Sequence, residues 1–126
     1  MKKIINSNNA PAPIGPYNQS VMFGNLLFTS GQIALDLEGN LIDSSIESET
    51  QQVFKNLQAI LEEAQLNFED VIKVSIFIKD MNDFDKINNV YATYFTSENA
   101  PARETVQVAK LPKNVNIEVS LIAGKS

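Results

Sequence analysis

Between residues 46 and 64, Ile46, Val53, Phe54, Leu57, Ile60, Leu61 and Ala64 recur at helical spacing, and this one apolar stripe constrains the fold more than any other feature. A helix apolar along one side needs a second layer to cover that side. Ser44 with Glu47 fits a capping box at its start. The segment Val71–Ile78 is short and β-branched, which reads as a strand with Ile72, Val74, Ile76 and Ile78 on one face. A second helix follows, capped by Asn82 or Asp83, with Phe84, Ile87, Tyr91, Tyr94 and Phe95 on its buried stripe and Asn99-Ala100-Pro101 as its breaker.

The strand signals supply the other layer. Residues 21–23 and 26–33 flank Gly24-Asn25 as a hairpin, a short first strand fits 3–5, and Glu38-Gly39-Asn40 is a turn. Two further strands fall at about 102–108 and 115–123, joined by Lys110-Leu111-Pro112-Lys113-Asn114. Pro11, Pro13 and Pro16 make residues 6–20 an extended, ordered loop. The expected fold is α+β: a two-layer sandwich of one mixed, largely antiparallel sheet with two helices on one face. At 126 residues the chain suits a single domain spanning 1–126.

The residues that are missing prune the chemistry. There is no His and no Cys, which removes Ser-His-Asp and Cys-His catalysis and the usual zinc sites. Acid–base work then falls to Asp, Glu, Lys, Tyr or ordered water. Ten Lys plus Arg stand against fifteen Asp plus Glu, and the lysines are scattered, which disfavours a nucleic-acid partner. Asp80, Asp83 and Asp85 lack the glycine and distal glutamate of a calcium loop and read as capping and solvated face, so no metal is expected. No apolar run is long enough to span a bilayer and no apolar segment follows the first lysines, so the expected compartment is the cytoplasm.

One charged pair stands out. Arg103 is the only arginine, and it alternates with Thr105 and Gln107 against Val106 and Val108. In the last strand Val115, Ile117, Val119 and Leu121 alternate with Asn116, Glu118 and Ser120. If the two strands pair as a hairpin with both apolar sides toward the helices, Val106 faces Ile117, and Arg103 and Glu118 become diagonal neighbours on the outer face. A guanidinium fork matches a carboxylate, and a carboxylate nearby can hold a water. A cross-strand ion pair on a wet face is the plainer reading. Tyr17, Ser30-Gly31 and Asn88 each fit either a pocket wall or ordinary loop, strand-end and helix-surface positions.

These residues resemble the RidA/YjgF family of enamine/imine deaminases. The resemblance runs through Ile14-Gly15-Pro16-Tyr17, Thr29-Ser30-Gly31-Gln32-Ile33, 71–80, Asn82-Asp83-Phe84 with Asn88, Pro101-Ala102-Arg103, 108–113 and Ile117-Glu118. It implies a chorismate-mutase-like fold in a homotrimer, with sheets inward, helices outward and clefts between subunits. It implies hydrolysis of 2-aminoacrylate and 2-iminobutanoate, products of pyridoxal-phosphate-dependent serine and threonine dehydratases, to 2-oxo acids and ammonia without a cofactor. By position, Arg103 grips the substrate carboxylate, the Gly31 N–H and Thr105 backbone help hold the substrate, and Glu118 activates water. Tyr17, Ser30 and Asn88 line the cleft, with Tyr17 supplied across the subunit boundary. A non-catalytic module binding a keto acid or similar small carboxylate is the alternative. Three residues depart from the family pattern: Thr105 where members often carry Cys, Glu104 where a small residue is common, and Gln65 where the helix commonly ends in Gly.

Overall fold

The computed structural model describes residues 1–126. Six strands, β1 (Lys2–Ile5), β2 (Ser20–Phe23), β3 (Leu26–Thr29), β4 (Val71–Ile78), β5 (Ala102–Gln107) and β6 (Ile117–Gly124), form one sheet in the order β1-β2-β3-β6-β4-β5. Every neighbouring pair is antiparallel except β4 and β5. A parallel pair needs a crossover, and α2 (Phe84–Tyr91) supplies it between β4 and β5. The helix α1 (Ile46–Glu63) crosses from β3 to β4, and its stripe packs on the same sheet face as that of α2. The two-layer α+β arrangement expected from the pattern is the one observed.

The core lies between the helices and that face. Val53, Phe54, Leu57, Ile60 and Leu61 of α1 meet Val74, Ile76, Ile78, Ile117, Val119 and Leu121, all fully or almost fully buried. Burying one such side chain stabilises the fold by about 1.5–3 kcal/mol. Phe54 anchors an aromatic cluster with Tyr91, Tyr94 and Phe95 at centroid distances of 5.7, 5.0 and 6.2 Å.

Several local expectations shift. The N-cap of α1 is Ser45, not Ser44, and the reciprocal partner is Ser48, not Glu47: the Ser48 N–H donates to Ser45 Oγ at 3.0 Å. Glu47 is left in the first turn, where its charge suits the helix dipole. Asp83 precedes α2 without capping it. Asp80 instead accepts from the Asn82 N–H, capping a single 3₁₀ turn at 81–83. Ile72 is 50% exposed because the β4–β6 register shifts between Val71 and Lys73, and Val71 is the residue that enters the core. The strand expected over 26–33 stops at Thr29, then resumes as a bridge between Gln32 and Val119.

The largest correction concerns β5 and β6, which do not pair. β4 lies between them, with Val74 opposite both Arg103 and Leu121, and Phe77 opposite both Val106 and Glu118. Opposed residues share a face. Arg103, Thr105 and Gln107 therefore sit on the helix side with Val74, Ile76 and Ile78, while Glu118 and the exposed Val106 sit on the other side. The physical reason is strand character. β4 buries residues on the helix face and half-buries Ser75 and Phe77 on the other, so it takes a central place. β5 carries charge and ends as an edge strand. Glu104, expected to point at the helices, instead lies on the open face. There it takes a hydrogen bond from Ser75 and an ion pair from Lys73 at 2.9 Å, which together hold its carboxyl below the usual range.

Candidate functional site

The site residues separate into two groups, one on each face of the sheet. The first surrounds Glu118. Two loops wall it: the proline-rich segment at Pro11–Ile14 with Tyr17, and the Gly31–Leu35 segment after β3. Buried polar side chains hold both loops in place. Gln19 donates to the carbonyls of Ser7, Ala10 and Pro11, at 3.0, 3.2 and 2.9 Å, and accepts from the Ser7 N–H. Asn56 of α1 donates to the Ile33 and Leu35 carbonyls at 3.2 and 3.0 Å. Glu49 of α1, itself buried, accepts both N–H groups of Asn116 at 2.8 Å and so fixes the entry to β6 just before Glu118.

Within this cleft of about 200 Å³, Tyr17, Gly31, Gln32, Pro112 and Glu118 share the wall. The Glu118 carboxylate is partly buried and takes no hydrogen bond or ion pair from the rest of the chain. Burial pushes its pKa above the usual carboxylate value. Gly31 presses against it: a Cβ there would fall 2.7 Å from Glu118 Cδ and overlap the carboxylate oxygen, so a larger residue would push the carboxylate out of its present position. The ladder between β3 and β6 is interrupted at this point, with Thr29 Oγ1 accepting from the Leu121 N–H at 2.9 Å. The Gly31 N–H consequently has no acceptor within the chain. Tyr17 is 45% exposed, and its hydroxyl accepts weakly from the Ile14 N–H at 3.4 Å. Ser30 spends its hydroxyl on the Asn18 carbonyl at 2.6 Å, so it braces the Tyr17 loop and is not part of the cleft wall.

The second group surrounds Arg103 on the helix side. Its guanidinium lies over the Tyr91 ring, 4.6 Å from the centroid, and 5.7 Å from that of Phe84. One donor, Nη1, reaches Asn88 Oδ1 at 2.7 Å. Asn88 is thus turned toward the arginine and is more than solvated helix surface. Thr105 is two residues further along the same face of β5. Burial raises the Tyr91 hydroxyl pKa, and the nearby Arg103 charge opposes the shift. Arg103 forms no ion pair in the chain, so its remaining donors are available to an anion.

The expectation that Arg103 and Glu118 meet on one sheet face is overturned by this register. Of the expected residues, the chain brings together Tyr17, Gly31 and Glu118, and separately Arg103, Asn88 and Thr105. Tyr91, Gln19, Asn56 and Glu49 escaped sequence reasoning. Tyr91 read as ordinary helix stripe, and a buried polar anchor has no periodic signal. No helix is long and apolar enough to cross a membrane.

The family model described as Endoribonuclease L-PSP matches residues 7–125. A RutC family protein of Pyrococcus horikoshii is 51% identical over 126 residues, 99% of each chain. A protein of Salmonella typhimurium named 2-iminobutanoate/2-iminopropanoate deaminase is 44% identical over 125 residues, 98% of each chain. The crystal structure of the YjgF gene product from E. coli superposes with a TM-score of 0.92 at 43% identity, covering 98% of this chain and 99% of that one.

Proposed function

The chain belongs to the RidA/YjgF family, and from that premise we propose that it is a cofactor-independent deaminase of small 2-imino acids. The substrates are 2-iminobutanoate and 2-iminopropanoate with their enamine forms, 2-aminoacrylate among them. The products are 2-oxo acids and ammonia. The observation that carries this reading is Glu118: an unpaired, partly buried carboxylate of raised pKa in a small cleft, in a chain with neither His nor Cys.

An imine carbon is already electrophilic, so catalysis needs an anchor for the substrate and a placed water. Glu118 orders the water, takes its proton as the oxygen adds to the imine carbon and returns it to the nitrogen; it then relays the proton of the resulting carbinol hydroxyl to the same nitrogen as the C–N bond breaks and the C=O forms, releasing ammonia and the 2-oxo acid. The Gly31 N–H, left without an acceptor, holds the substrate from the loop side, and Tyr17 closes the cleft. Arg103 supplies the carboxylate fork, and Asn88 holds it in plane.

Arg103 and Glu118 of one chain point from opposite faces of one sheet, so a working site needs Arg103 from a neighbouring copy. This supports a homotrimer with three clefts between subunits. Exposed Ile4, Phe23, Leu26, Phe28 and Val106 on the face opposite the helices supply an apolar surface for such an assembly. The physiological link is to a pyridoxal-phosphate-dependent serine or threonine dehydratase that releases the imine. The net charge of −5 and the single arginine disfavour RNA as substrate.

The test is ammonia release when the protein is added to a threonine dehydratase acting on threonine. The wild type should speed it. Arg103→Lys, which keeps the charge but loses the fork, should be badly impaired, and Glu118→Gln slowed by roughly 10²–10⁴-fold. Saturable keto-acid binding without turnover would make the chain a carboxylate-binding module instead.

A further inference from the structure

Two oxygens beside Arg103 are left unsatisfied by the rest of the chain. The Tyr91 hydroxyl, which the Arg103 guanidinium approaches without reaching hydrogen-bond geometry, and Thr105 Oγ1 are buried without a hydrogen-bond partner, and no other buried side-chain polar atom shares that condition. Buried orphans of this kind are rare and are a standing cost to a fold, so a pair on one flank calls for a reason. The other strongly buried polar side chains point the same way by contrast: Gln19, Glu49 and Asn56 are all bonded.

Both orphans lie on the helix side of the sheet, as Arg103 does. The Tyr91 ring underlies its guanidinium at 4.6 Å, and Thr105 shares its face of β5 two residues on. Tyr91 is only 8% exposed and is packed between Phe54 and Phe95, so its hydroxyl cannot swing away to water. A carboxylate offers about four lone-pair sites, of which a guanidinium fork uses two. Two O–H donors are the chemistry that suits the other two.

We propose that the Tyr91 and Thr105 hydroxyls donate to the same substrate carboxylate that Arg103 grips, making a seat of one cation and two hydroxyls. The inference rests on the reading of Arg103 as the carboxylate anchor. Both oxygens are closed to solvent in the free chain, so the carboxylate reaches them as the guanidinium slides on the Tyr91 ring. A single hydrogen bond to Asn88 tethers that guanidinium, which permits the slide. The seat selects ligands by their carboxylate and leaves the side chain of the imine to the Glu118 cleft.

Tyr91→Phe and Thr105→Val each delete one hydroxyl and keep ring or branched shape. Thermal unfolding without ligand and the dissociation constant for 2-oxobutanoate, a stable keto acid, are measured on the assembled protein. Because the hydroxyls are unsatisfied in the free chain, the unfolding temperature should hold or rise. Affinity should fall by about tenfold for each, the worth of one hydrogen bond to a charged group. Variants that bind 2-oxobutanoate as the wild type does overturn the proposal. So does a lowered unfolding temperature with unchanged affinity, which would mean that ordered water holds the hydroxyls. A wild type that binds no 2-oxobutanoate overturns the anchor reading and this inference with it, a failure recognisable because the first two require a wild type that binds.

Discussion

Burial of the Glu118 carboxylate carries a stability cost, and that cost has a sign that pH can read. Burial raises its pKa, so the folded state resists ionising it. Below the ordinary carboxylate pKa the group is protonated whether folded or not, and burial of the charge costs nothing. As pH rises through the raised folded value, the carboxyl ionises more readily in the unfolded chain and stability is lost. Glu118→Gln removes the charge, so its thermal unfolding temperature should exceed that of the wild type at pH 7 and the excess should shrink toward pH 4. A uniform excess at both values would refute the burial argument. The sequence made this glutamate readable as a candidate water activator because His and Cys are absent. Its packing against Gly31 was not readable, because that contact joins residues far apart in the chain. Arg103 was readable as a candidate anchor but not as a side chain on the helix face, since that depends on which strand lies beside it.

At the scale of elements, the helices and strands follow from periodicity, and the departures come at their ends. Gln65 ends α1 in the left-handed region with φ 61°. Around it the Leu66 N–H donates to the Leu61 carbonyl at 2.9 Å and the Gln65 N–H to the Glu62 carbonyl at 3.0 Å, a Schellman closure in which Leu66 is buried. A Cβ in that conformation is strained, so Gln65→Gly should stabilise the protein by about 0.5–1 kcal/mol. Chemical denaturation reads this directly; a loss of stability would show that the Gln65 side chain does more than tolerate its backbone. The departure from glycine at this position was legible in the sequence, as was the alternation in β6. The pairing of β5 was not. Its closeness in sequence to β6 suggested a hairpin, whereas β4, buried on the helix face and half-buried at Lys73, Ser75 and Phe77 on the other, takes the place between them. A nine-residue link from Val108 to Asn116 leaves room to step over β4 to its other edge.

At the scale of the whole molecule, the split of the candidate site across the sheet is the decisive feature. One copy presents Glu118, Gly31 and Tyr17 on the open side and Arg103 with Asn88 toward the helices. Sequence reasoning reached the subunit boundary only through family resemblance, because nothing in one strand's alternation says what covers its outer face. The register, which puts Arg103 and Glu118 on opposite faces, supports the proposed sharing on separate grounds and makes it measurable. Arg103→Ala and Glu118→Gln are mixed after each is shown to be inactive in ammonia release, then unfolded and refolded together to scramble subunits. If every cleft takes its arginine from one copy and its glutamate from the next, random mixing of equal amounts should restore about a quarter of the wild-type activity. A mixture as inactive as its parts, with subunit exchange verified, would contradict a site shared between copies.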